Sequence, residues 1–383
     1  MRFKYQIMKN NYKKIISGAS AALLLSFAVF FGIFRASLPC VINSSPDCKL
    51  SECGFSGASL RETEDGCAYY LANIPIKTAE IVEKQRQNVI LCGTPFGIKI
   101  KSDGVMVVKT AEQSPAKSAG IKEGDIIKTV NGEAVRTNGD ISRAVQLNSD
   151  LTSVVLERSD REICFQFSPK READGLKIGV FVRDSAAGVG TLTFVEPKTM
   201  VFGGLGHSVS DVSTGETVPL ASGEITKAEI FGVVKGKCGS AGELRGLIFP
   251  ENETGIIKSN TEAGVFGTFS GDISGDIYPA AFRQEVKAGC AEVITTIDGN
   301  APKSYSIEIE RVNLLDLNGS KSMVIKITDP ELLEKTGGIV RGMSGSPIIQ
   351  DGKFVGAVTH VLVNDPTRGY AVFAENMLSQ ALE

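Results

Sequence analysis

The sequence is poor in several residue types, and each absence narrows the choice of function. It has no tryptophan, 7% aromatic residues and only two histidines in 383 residues. The net charge of −3 offers no basic footprint for nucleic acid. We find no metal-ligand set and no phosphate-binding glycine loop, so we expect no metal and no cofactor. The 41 glycines favour a β-rich protein with many tight turns, long enough for about two or three domains.

The eight cysteines fall into two groups. Four lie between Cys40 and Cys67, with no C-x-x-C pair and no histidine nearby. This pattern favours one or two disulfides over a zinc site, provided that the stretch lies outside the membrane. The other four are scattered and expected to be buried thiols: Cys92, Cys164, Cys238 and Cys290.

The N-terminus carries a hydrophobic run. Residues 15–34 contain no charge and match the hydrocarbon thickness of a bilayer. Because the basic residues that precede the run stay cytoplasmic, we expect a tail over 1–14, a transmembrane helix over 15–34 and the remaining chain outside the cytoplasm. A cleaved signal peptide is the alternative. The length of the run and Arg35 directly after it favour the anchor.

Three segments follow this run. Residues 35–91 are interpreted as an irregular linker, over 36–69, and a short lead-in segment. Residues 92–170 contain a compact ordered pattern, described next. Residues 177–383 consist of short apolar or alternating runs between glycines, which is typical of a β-barrel or sandwich. One helix, beginning at Pro330, interrupts these strands.

The pattern in the second segment is S-P-A-x-x-A-G-I-x-x-G-D-I-I-x-x-V-N-G, from Ser114 to Gly132. It ends in Asn-Gly, a strong signal for a two-residue hairpin turn, and it resembles a PDZ domain. The resemblance implies that a peptide or chain terminus binds by strand addition. It also implies that Phe96, Gly97 and Ile98 mark the loop that captures the terminal carboxylate. The alternative is a PDZ fold that serves only as a brace.

The turn G-M-S-G-S-P over 342–347 precedes two apolar runs that form a predicted hairpin. Its glycines allow the backbone to bend sharply and to aim N–H groups at a reacting carbonyl. The turn resembles the nucleophile region of chymotrypsin-like serine peptidases. Ser344 is therefore the candidate nucleophile, and the N–H groups of Gly342 and Ser344 are the candidate oxyanion donors. The predicted fold is mainly β, with a PDZ domain followed by a chymotrypsin-like double β-barrel.

A nucleophilic serine needs a base and a group that orients the base. His207 lies among glycines and small residues, which suits a site, whereas His360 lies on a predicted strand and would line the substrate groove. His207 is the favoured base. Asp329 and Asp211 are nearly equal candidates for the orienting acid, and Asp184 is a distant third. Asp329, followed by Pro330, also fits a helix N-cap.

Longer motifs identify a family resemblance. They are G-L-G-H-S-V-S-D at 204–211, T-G-G-I-V-R-G-M-S-G-S-P-I-I at 336–349 and V-G-A-V-T-H-V-L-V-N-D-P at 355–366. Over about residues 85–383 the chain resembles the stage IV sporulation protein B (SpoIVB) peptidase family of spore-forming bacteria. The resemblance implies Ser344 as nucleophile, His207 as base and Asp329 as the third residue.

The same resemblance implies a physiological role. It implies secretion from the forespore into the space between two membranes, self-processing, and cleavage of a membrane-bound regulator. That cleavage would free an intramembrane metalloprotease to mature a late mother-cell sigma factor. The cysteine-rich linker departs from the family, so the sites of self-cleavage and the downstream target do not carry over.

Two other functions fit parts of the pattern. A quality-control protease of the high-temperature-requirement type (HtrA-like) also combines a PDZ and a trypsin-like domain, but there the PDZ domain follows the protease. A non-catalytic PDZ adaptor is disfavoured because all three catalytic candidates are present. Met343 occupies the place where chymotrypsin-like zymogens carry an aspartate that pairs with a new N-terminus. We therefore expect activation without that ion pair.

Overall fold

The computed structural model describes residues 20, 23–48, 50, 53, 57–63, 66–147, 150–316 and 319–382. The chain divides into two compact units, Met1–Gln85 and Arg86–Glu383.

The N-terminal unit begins with helix α1 at residues 23–36. Its exposed side chains include large apolar ones such as Phe27 and Phe30. Among the described residues, no helix combines the length and apolarity needed to cross a membrane. The predicted tail over 1–14 and residues 15–19, 21 and 22 of the predicted anchor lie outside the described residues.

A four-stranded sheet completes this unit. Its strands are β1 (Val41–Ser44), β2 (Ser59–Thr63), β3 (Gly66–Leu71) and β4 (Ile74–Glu83). They lie in the order β1-β4-β3-β2, with β1 parallel to β4 and the other pairs antiparallel. The stretch expected to be an irregular linker therefore supplies two strands and part of a third, and these strands bury apolar side chains such as Ile42, Leu60 and Tyr69.

In its described residues, the larger unit contains strands β5 to β23 and four helices. Its first strands are β5 (Asn88–Thr110), β6 (Ile126–Val130), β7 (Glu133–Ala134), β8 (Thr152–Arg158), β9 (Arg161–Phe167), β10 (Lys170–Glu172), β11 (Gly175–Lys177), β12 (Val180–Val195) and β13 (Val201–Gly204). The next are β14 (Leu220–Val234), β15 (Glu243–Thr261), β16 (Gly264–Phe269), β17 (Ile277–Pro279), β18 (Gly289–Thr295) and β19 (Lys303–Val312). The last are β20 (Met323–Ile327), β21 (Pro347–Gln350), β22 (Lys353–Val361) and β23 (Arg368–Phe373). The helices are α2 (Pro115–Ala119), α3 (Asn138–Gln146), α4 (Pro330–Thr336) and α5 (Ala374–Leu382), with a 3₁₀ turn at Arg283–Glu285.

Six antiparallel strands pair in a ring, in the order β5-β12-β13-β16-β15-β14 and back to β5. Alternate residues of β5, such as Phe96, Ile98 and Ile100, point into the apolar core of this ring. Its other walls contribute buried residues such as Phe202 and Ile225. The glycine-separated apolar runs of the sequence thus form strands that pair in a closed ring, so within the ring each strand has a partner on both edges.

A second set of six strands forms a closed barrel in the order β18-β19-β20-β23-β22-β21. Its core includes Val293, Ile325, Val358 and Phe373, all fully buried. Met343, from the predicted nucleophile turn, is also fully buried in this core. The turn that carries Ser344 is therefore anchored in the second barrel by an apolar side chain.

The segment that resembles a PDZ domain packs β6, β8, β9 and the end of β5 against α2 and α3. Its core includes Val105, Ile127 and Leu156 on strands and Ile141 on α3. The residues of the Asn131–Gly132 turn have φ angles of 53° and 81°. The predicted two-residue hairpin turn between β6 and β7 is confirmed, because only glycine and a few polar residues adopt this conformation at low cost.

The cysteines outside the N-terminal unit were all expected to be buried. Cys92 is buried in the core of the ring. Cys164, Cys238 and Cys290 are exposed, so the prediction was wrong for these three. Cys164 shows the reason, because it occupies an outward-facing position in the alternation of β9.

Candidate active site

The glycine-rich turn lies between α4 and β21. Gly342 and Gly345 have φ angles of 98° and 95°, which other residues rarely adopt. Gly345 also lies directly against the ring: a methyl group there would be 2.1 Å from Thr191 O and 2.6 Å from Leu205 N. Glycine is therefore required both for the bend and for the close approach of two backbones.

All carbonyl groups of this turn, from Arg341 to Gly345, accept hydrogen bonds. Two of the donors are nearby amides and three come from the neighbouring strand β12. The bonds are Leu244 N to Arg341 O (2.8 Å), Thr191 Oγ1 to Gly342 O (2.8 Å), Ser346 N to Met343 O (3.0 Å), Thr191 N to Ser344 O (3.0 Å) and Thr193 Oγ1 to Gly345 O (2.7 Å).

The amide groups of the turn differ from one another. Four of them donate to backbone carbonyls. The bonds are Arg341 N to Gly242 O, Met343 N to Val340 O, Gly345 N to Val358 O and Ser346 N to Met343 O. In the part of the chain that the structure describes, the N–H groups of Gly342 and Ser344 have no acceptor. The C=O and N–H of a trans peptide point in opposite directions, so the bonded carbonyls hold these two N–H groups in fixed directions. Fixed, unpaired donors beside a serine are what an oxyanion hole requires.

His207 follows β13 and lies close to the serine turn. Ser344 Oγ donates to Thr359 O at 2.7 Å. The next residue, His360, has its ring centroid 4.9 Å from that of His207. The two imidazoles are thus in contact, and Ser344 bonds to the residue that precedes one of them. The Ser344 hydroxyl bonds to a carbonyl rather than to His207, and such catalytic hydrogen bonds are often unformed before substrate binds.

The protonation of His207 suits a general base. Its Nδ1 lies 2.7 Å from Ser208 O. Because a carbonyl can only accept, Nδ1 carries the proton and Nε2 keeps its lone pair. Burial lowers the pKa of His207, and this outweighs the opposing effect of the bond to Ser208. The imidazole is therefore neutral at neutral pH, in the tautomer that can take a proton at Nε2.

The loop that carries His207 is held by a residue that sequence reasoning missed. Asn260 Oδ1 accepts from Val209 N at 2.7 Å, and Asn260 Nδ2 donates to Val209 O at 3.0 Å and to Val218 O at 2.9 Å. Asn260 lies on β15, 51 residues from Val209. Nothing in the local sequence around Asn260 indicates this contact.

Asp329 is the N-cap of α4. Its carboxylate accepts from Leu332 N at 3.1 Å and from Ser306 N at 3.4 Å. Pro330 follows at the first helical position and Gly337 closes the helix in a left-handed conformation. The helix and its cap are as the sequence predicts. Among the described residues, no carboxylate, that of Asp329 included, hydrogen-bonds to the His207 imidazole.

The other two acid candidates also have structural partners. Asp211 accepts from Ser213 N at 2.8 Å and from Thr214 N at 3.0 Å, and it pairs with Arg183. Asp184 accepts from Asn138 N at 3.3 Å. Each carboxylate thus stabilises a local turn or helix start.

A cavity of about 770 Å³ opens beside the two histidines. Its wall includes both imidazoles and three charged side chains, Glu262, Asp316 and Lys321. The cavity is polar and large enough for several side chains of a peptide. Its lining carries charged groups of both signs.

The residues predicted to form the PDZ carboxylate loop lie elsewhere. Phe96, Gly97 and Ile98 occupy the middle of β5, in the ring of six strands. Gly97 pairs with Val189 on one side and with Thr226 on the other. With both strand edges paired and the two apolar side chains buried, these residues cannot capture a peptide end, and this prediction was wrong. The predicted PDZ segment began at residue 92, but the first part of β5 belongs to the ring of six strands.

An open strand edge lies at Val180–Arg183 of β12. One edge of this segment pairs with β5, and no strand among the described residues pairs with the other. Helix α3 runs beside it: Asn138 N bonds to Asp184 at one end, and Gln146 bonds to both the N–H and the C=O of Leu176 at the other. A strand edge facing a helix is the arrangement used for strand addition.

Two family models match the chain. The model described as SpoIVB peptidase S55 matches residues 174–378, and the PDZ domain model matches residues 106–158. The first match includes the loop of His207 and the serine turn. The second includes the end of β5, α2, α3 and strands β6, β7 and β8, but not β9.

Similar proteins share shorter stretches. Serine protease HTRA1 of Xenopus tropicalis is 32% identical over 69 residues, which are 18% of this chain and 15% of that protein. A probable periplasmic DegP-like serine endoprotease of Rhizobium meliloti is 28% identical over 127 residues, 32% and 24% of the two chains. A putative zinc metalloprotease of Mesorhizobium japonicum is 29% identical over 134 residues, 32% and 36% of the two chains. The matched part of the chain thus covers between 15% and 36% of the length of these relatives.

Among solved structures, the PDZ domain of an SdrC-like protein of Listeria monocytogenes is 19% identical with a TM-score of 0.19, over 21% of this chain and 87% of that one. The S55 model, by contrast, matches more than half of the 383 residues. The chain therefore belongs to the SpoIVB peptidase S55 family.

Proposed function

We propose that this peptidase is a sporulation-signalling endopeptidase with a chymotrypsin-like double β-barrel. It would process itself and cleave a membrane-bound regulator, and so trigger intramembrane maturation of a late mother-cell sigma factor. Family membership supports the signalling role. The observation that carries the catalytic role is the pair of fixed, unpaired N–H groups at Gly342 and Ser344, beside the Ser344 hydroxyl.

The proposed reaction begins when Ser344 Oγ leaves Thr359 O and attacks a peptide carbonyl. His207 Nε2 takes the hydroxyl proton, and the Nδ1 proton stays on the bond to Ser208 O. The carbonyl oxygen becomes an oxyanion between the N–H groups of Gly342 and Ser344, each worth about 3–4 kcal/mol to the transition state. His207 then gives its proton to the leaving amine, and water repeats the sequence to release the acyl group.

The third residue of the site is a separate question. The family resemblance assigns this role to Asp329, and that assignment stays a prediction. To act on His207, Asp329 would have to leave the cap of α4. The Ser208 carbonyl supplies the tautomer-fixing contact without it, but it brings no negative charge to stabilise the imidazolium.

The cellular placement is also a proposal. An anchor at residues 15–34 with a cytoplasmic tail would put the peptidase on the forespore inner membrane, facing the intermembrane space. Self-cleavage after the anchor would then release it. The basic residues before the apolar run support this orientation.

The PDZ domain would supply a second contact with protein partners. We propose that a peptide or a chain terminus adds to the open edge at Val180–Arg183, between β12 and α3, rather than near Phe96. The half-buried Val180 and Val182 and the exposed Phe181 offer apolar surface there. Binding at this edge would bring a substrate to the same chain segment that continues toward the serine turn.

Autoprocessing of the full chain tests the peptidase proposal. We expect the wild type to trim itself into defined fragments, seen by mass spectrometry, and Ser344→Ala to stay whole. Ser346→Ala is the matched control, because the Ser346 hydroxyl is buried and bonds to Thr295 Oγ1 at 2.8 Å. It should trim as the wild type does. Trimming of Ser344→Ala at the wild-type sites would rule out Ser344 as the nucleophile.

A quality-control protease of the HtrA type is the second candidate, favoured by the similarity to HTRA1 and DegP-like proteins. Such a role predicts broad cleavage of an unfolded protein such as reduced casein, whereas a signalling peptidase should cut few sites. A non-catalytic adaptor predicts that Ser344→Ala leaves the sporulation phenotype untouched.

A further inference from the structure

Two buried threonines of β12 contact the serine turn. Thr191 and Thr193 are 2% and 0% exposed, on the strand that continues from the PDZ segment into the ring. A buried hydroxyl needs a hydrogen-bond partner. Both hydroxyls find their partner in the serine turn: Thr191 Oγ1 donates to Gly342 O and Thr193 Oγ1 to Gly345 O.

Thr191 also contacts the turn and the histidine loop through its backbone. Its N–H donates to Ser344 O at 3.0 Å, and its carbonyl accepts from Leu205 N at 3.3 Å. Leu205 lies two residues before His207. One residue therefore bonds to the segment of the nucleophile and to the segment of the base, although the serine turn lies about 150 residues further along the chain.

We propose that Thr191, assisted by Thr193, is a positioning residue that holds the oxyanion hole in its active form. The Thr191 hydroxyl fixes the peptide between Gly342 and Met343, which lies between the two unpaired N–H groups. The Thr193 hydroxyl fixes the peptide that follows Gly345. With these carbonyls held, the turn cannot rotate a peptide group and lose an oxyanion donor. The inference rests on the proposed serine-peptidase mechanism.

The threonine bonds would take the place of the ion pair by which chymotrypsin-like zymogens order this turn. Met343 carries no charge and is fully buried among apolar side chains of the second barrel, so it cannot form an ion pair with a new N-terminus. The threonine bonds need no cleavage event to form. The oxyanion hole is thus assembled in the uncleaved chain, and processing would control access or location rather than the geometry of the turn.

A fluorophosphonate probe on the full chain tests the inference, because it needs no knowledge of the substrate. Ser344 Oγ bonds to phosphorus, fluoride leaves, the proton passes to His207, and the phosphoryl oxygen occupies the oxyanion hole. Thr191→Val replaces the hydroxyl with a methyl group of similar size and leaves the backbone bonds of residue 191 in place. We expect the maximal labelling rate to fall about tenfold, less than the loss of a whole donor, with the half-saturating probe concentration nearly unchanged. Thr191→Ser should restore the rate.

Thr296→Val is the matched control. Thr296 is also buried and donates to a backbone carbonyl, Gly93 O at 2.9 Å, but it does not touch the serine turn. It should lower the thermal midpoint without lowering the labelling rate. Equal labelling of wild type and Thr191→Val, or an equal loss of rate in Thr296→Val, would overturn the inference. Absence of labelling in the uncleaved wild type would overturn the pre-assembled site. If processed wild type, too, stayed unlabelled, the proposed peptidase mechanism itself would fail.

Discussion

The turns at Asp329 and at Ser344 lie at the two ends of the same short segment, one entering α4 and the other following it. At Asp329 the carboxylate accepts from two backbone N–H groups, Leu332 N and Ser306 N. At Ser344 every carbonyl is bonded, while the N–H groups of Gly342 and Ser344 lack an acceptor in the described part of the chain. Both turns carry residues that the family resemblance names as catalytic.

The difference is between a polar group that has partners within the protein and donors that have none among the described residues. A buried or half-buried polar group normally finds a partner within the protein, and Asp329 has done so. Fixed donors without acceptors cost stability unless a ligand uses them. The serine turn retains two such donors although their neighbours are all bonded, which is expected for a site that binds a developing negative charge.

The largest expected effect comes from distorting the serine turn. Gly342→Ala places a side chain at a φ of 98° and within 3.0 Å of Leu244 Cβ. The N–H of residue 342 should be displaced, and the fluorophosphonate labelling rate should fall about 10²-fold, close to the loss of one oxyanion donor.

Gly352→Ala is the control for this change. Gly352 has a φ of 72°, in the next hairpin turn, and no heavy atom lies within 4 Å of an added methyl group. It should cost stability, measured as the thermal midpoint, but leave labelling unchanged. Similar labelling losses in both variants would remove the distinction between the serine turn and an ordinary strained turn.

The pH dependence of the fluorophosphonate labelling rate should test whether His207 serves the serine turn as a base. A general base works when neutral, so the rate should rise with pH through the pKa of His207. Because burial lowers that pKa, the half-maximal rate should lie below pH 6.5, the usual value for histidine. The other titratable groups around the cavity are His360, Glu262, Asp316 and Lys321.

His360→Asn tests which of the two histidines acts as the general base. The pKa of His360 is lowered to about 4 by desolvation and by His207, so its titration should not cause the main rise of the labelling rate with pH. The variant should show the same rise at the same pH as the wild type. A variant without any labelling would instead identify His360 as the base.

The smallest effect on labelling is expected at Asp329. Asp329→Ala removes the cap of α4 and should lower the free energy of unfolding by about 1 kcal/mol, measured by urea denaturation, whereas Asp329→Asn should preserve most of the cap. If the cap is the only role of Asp329, both variants should label at nearly the wild-type rate. If Asp329 orients His207, as the family resemblance implies, both variants should lose rate, and Asp329→Asn should lose about 10⁴-fold although the protein stays stable.

Local chemistry in the sequence was enough to predict several features. The glycines around Ser344, the cap of α4 at Asp329–Pro330 and the Asn131–Gly132 turn each depend on the conformations of a few consecutive residues. Those conformations are limited by sterics and by short-range hydrogen bonds, so the pattern itself is informative. The resemblance of the long motifs around His207 and Ser344 added the family, which the family model confirms.

Contacts between distant segments were not predictable in the same way. Phe96–Ile98 looked like a loop beside the PDZ pattern, yet it is a strand with partners on both edges. Threonines such as Thr191 alternate with apolar residues in many strands, and the residues that Thr191 bonds are set by how β12 lies beside the serine turn. The roles of Asn260 and Ser208 at His207 depend on the same long-range packing.

The sequence by itself determined the classes of structure and chemistry: β-strands with tight turns, a PDZ pattern, and a serine in a glycine-rich turn with a histidine available. The tertiary structure decided which groups are satisfied and which are left for a ligand. Hydrogen-bond satisfaction depends on every neighbour within a few ångströms, wherever it lies in the chain. For this reason Asp329 and Ser344, similar as candidates in the sequence, have different surroundings in the folded protein.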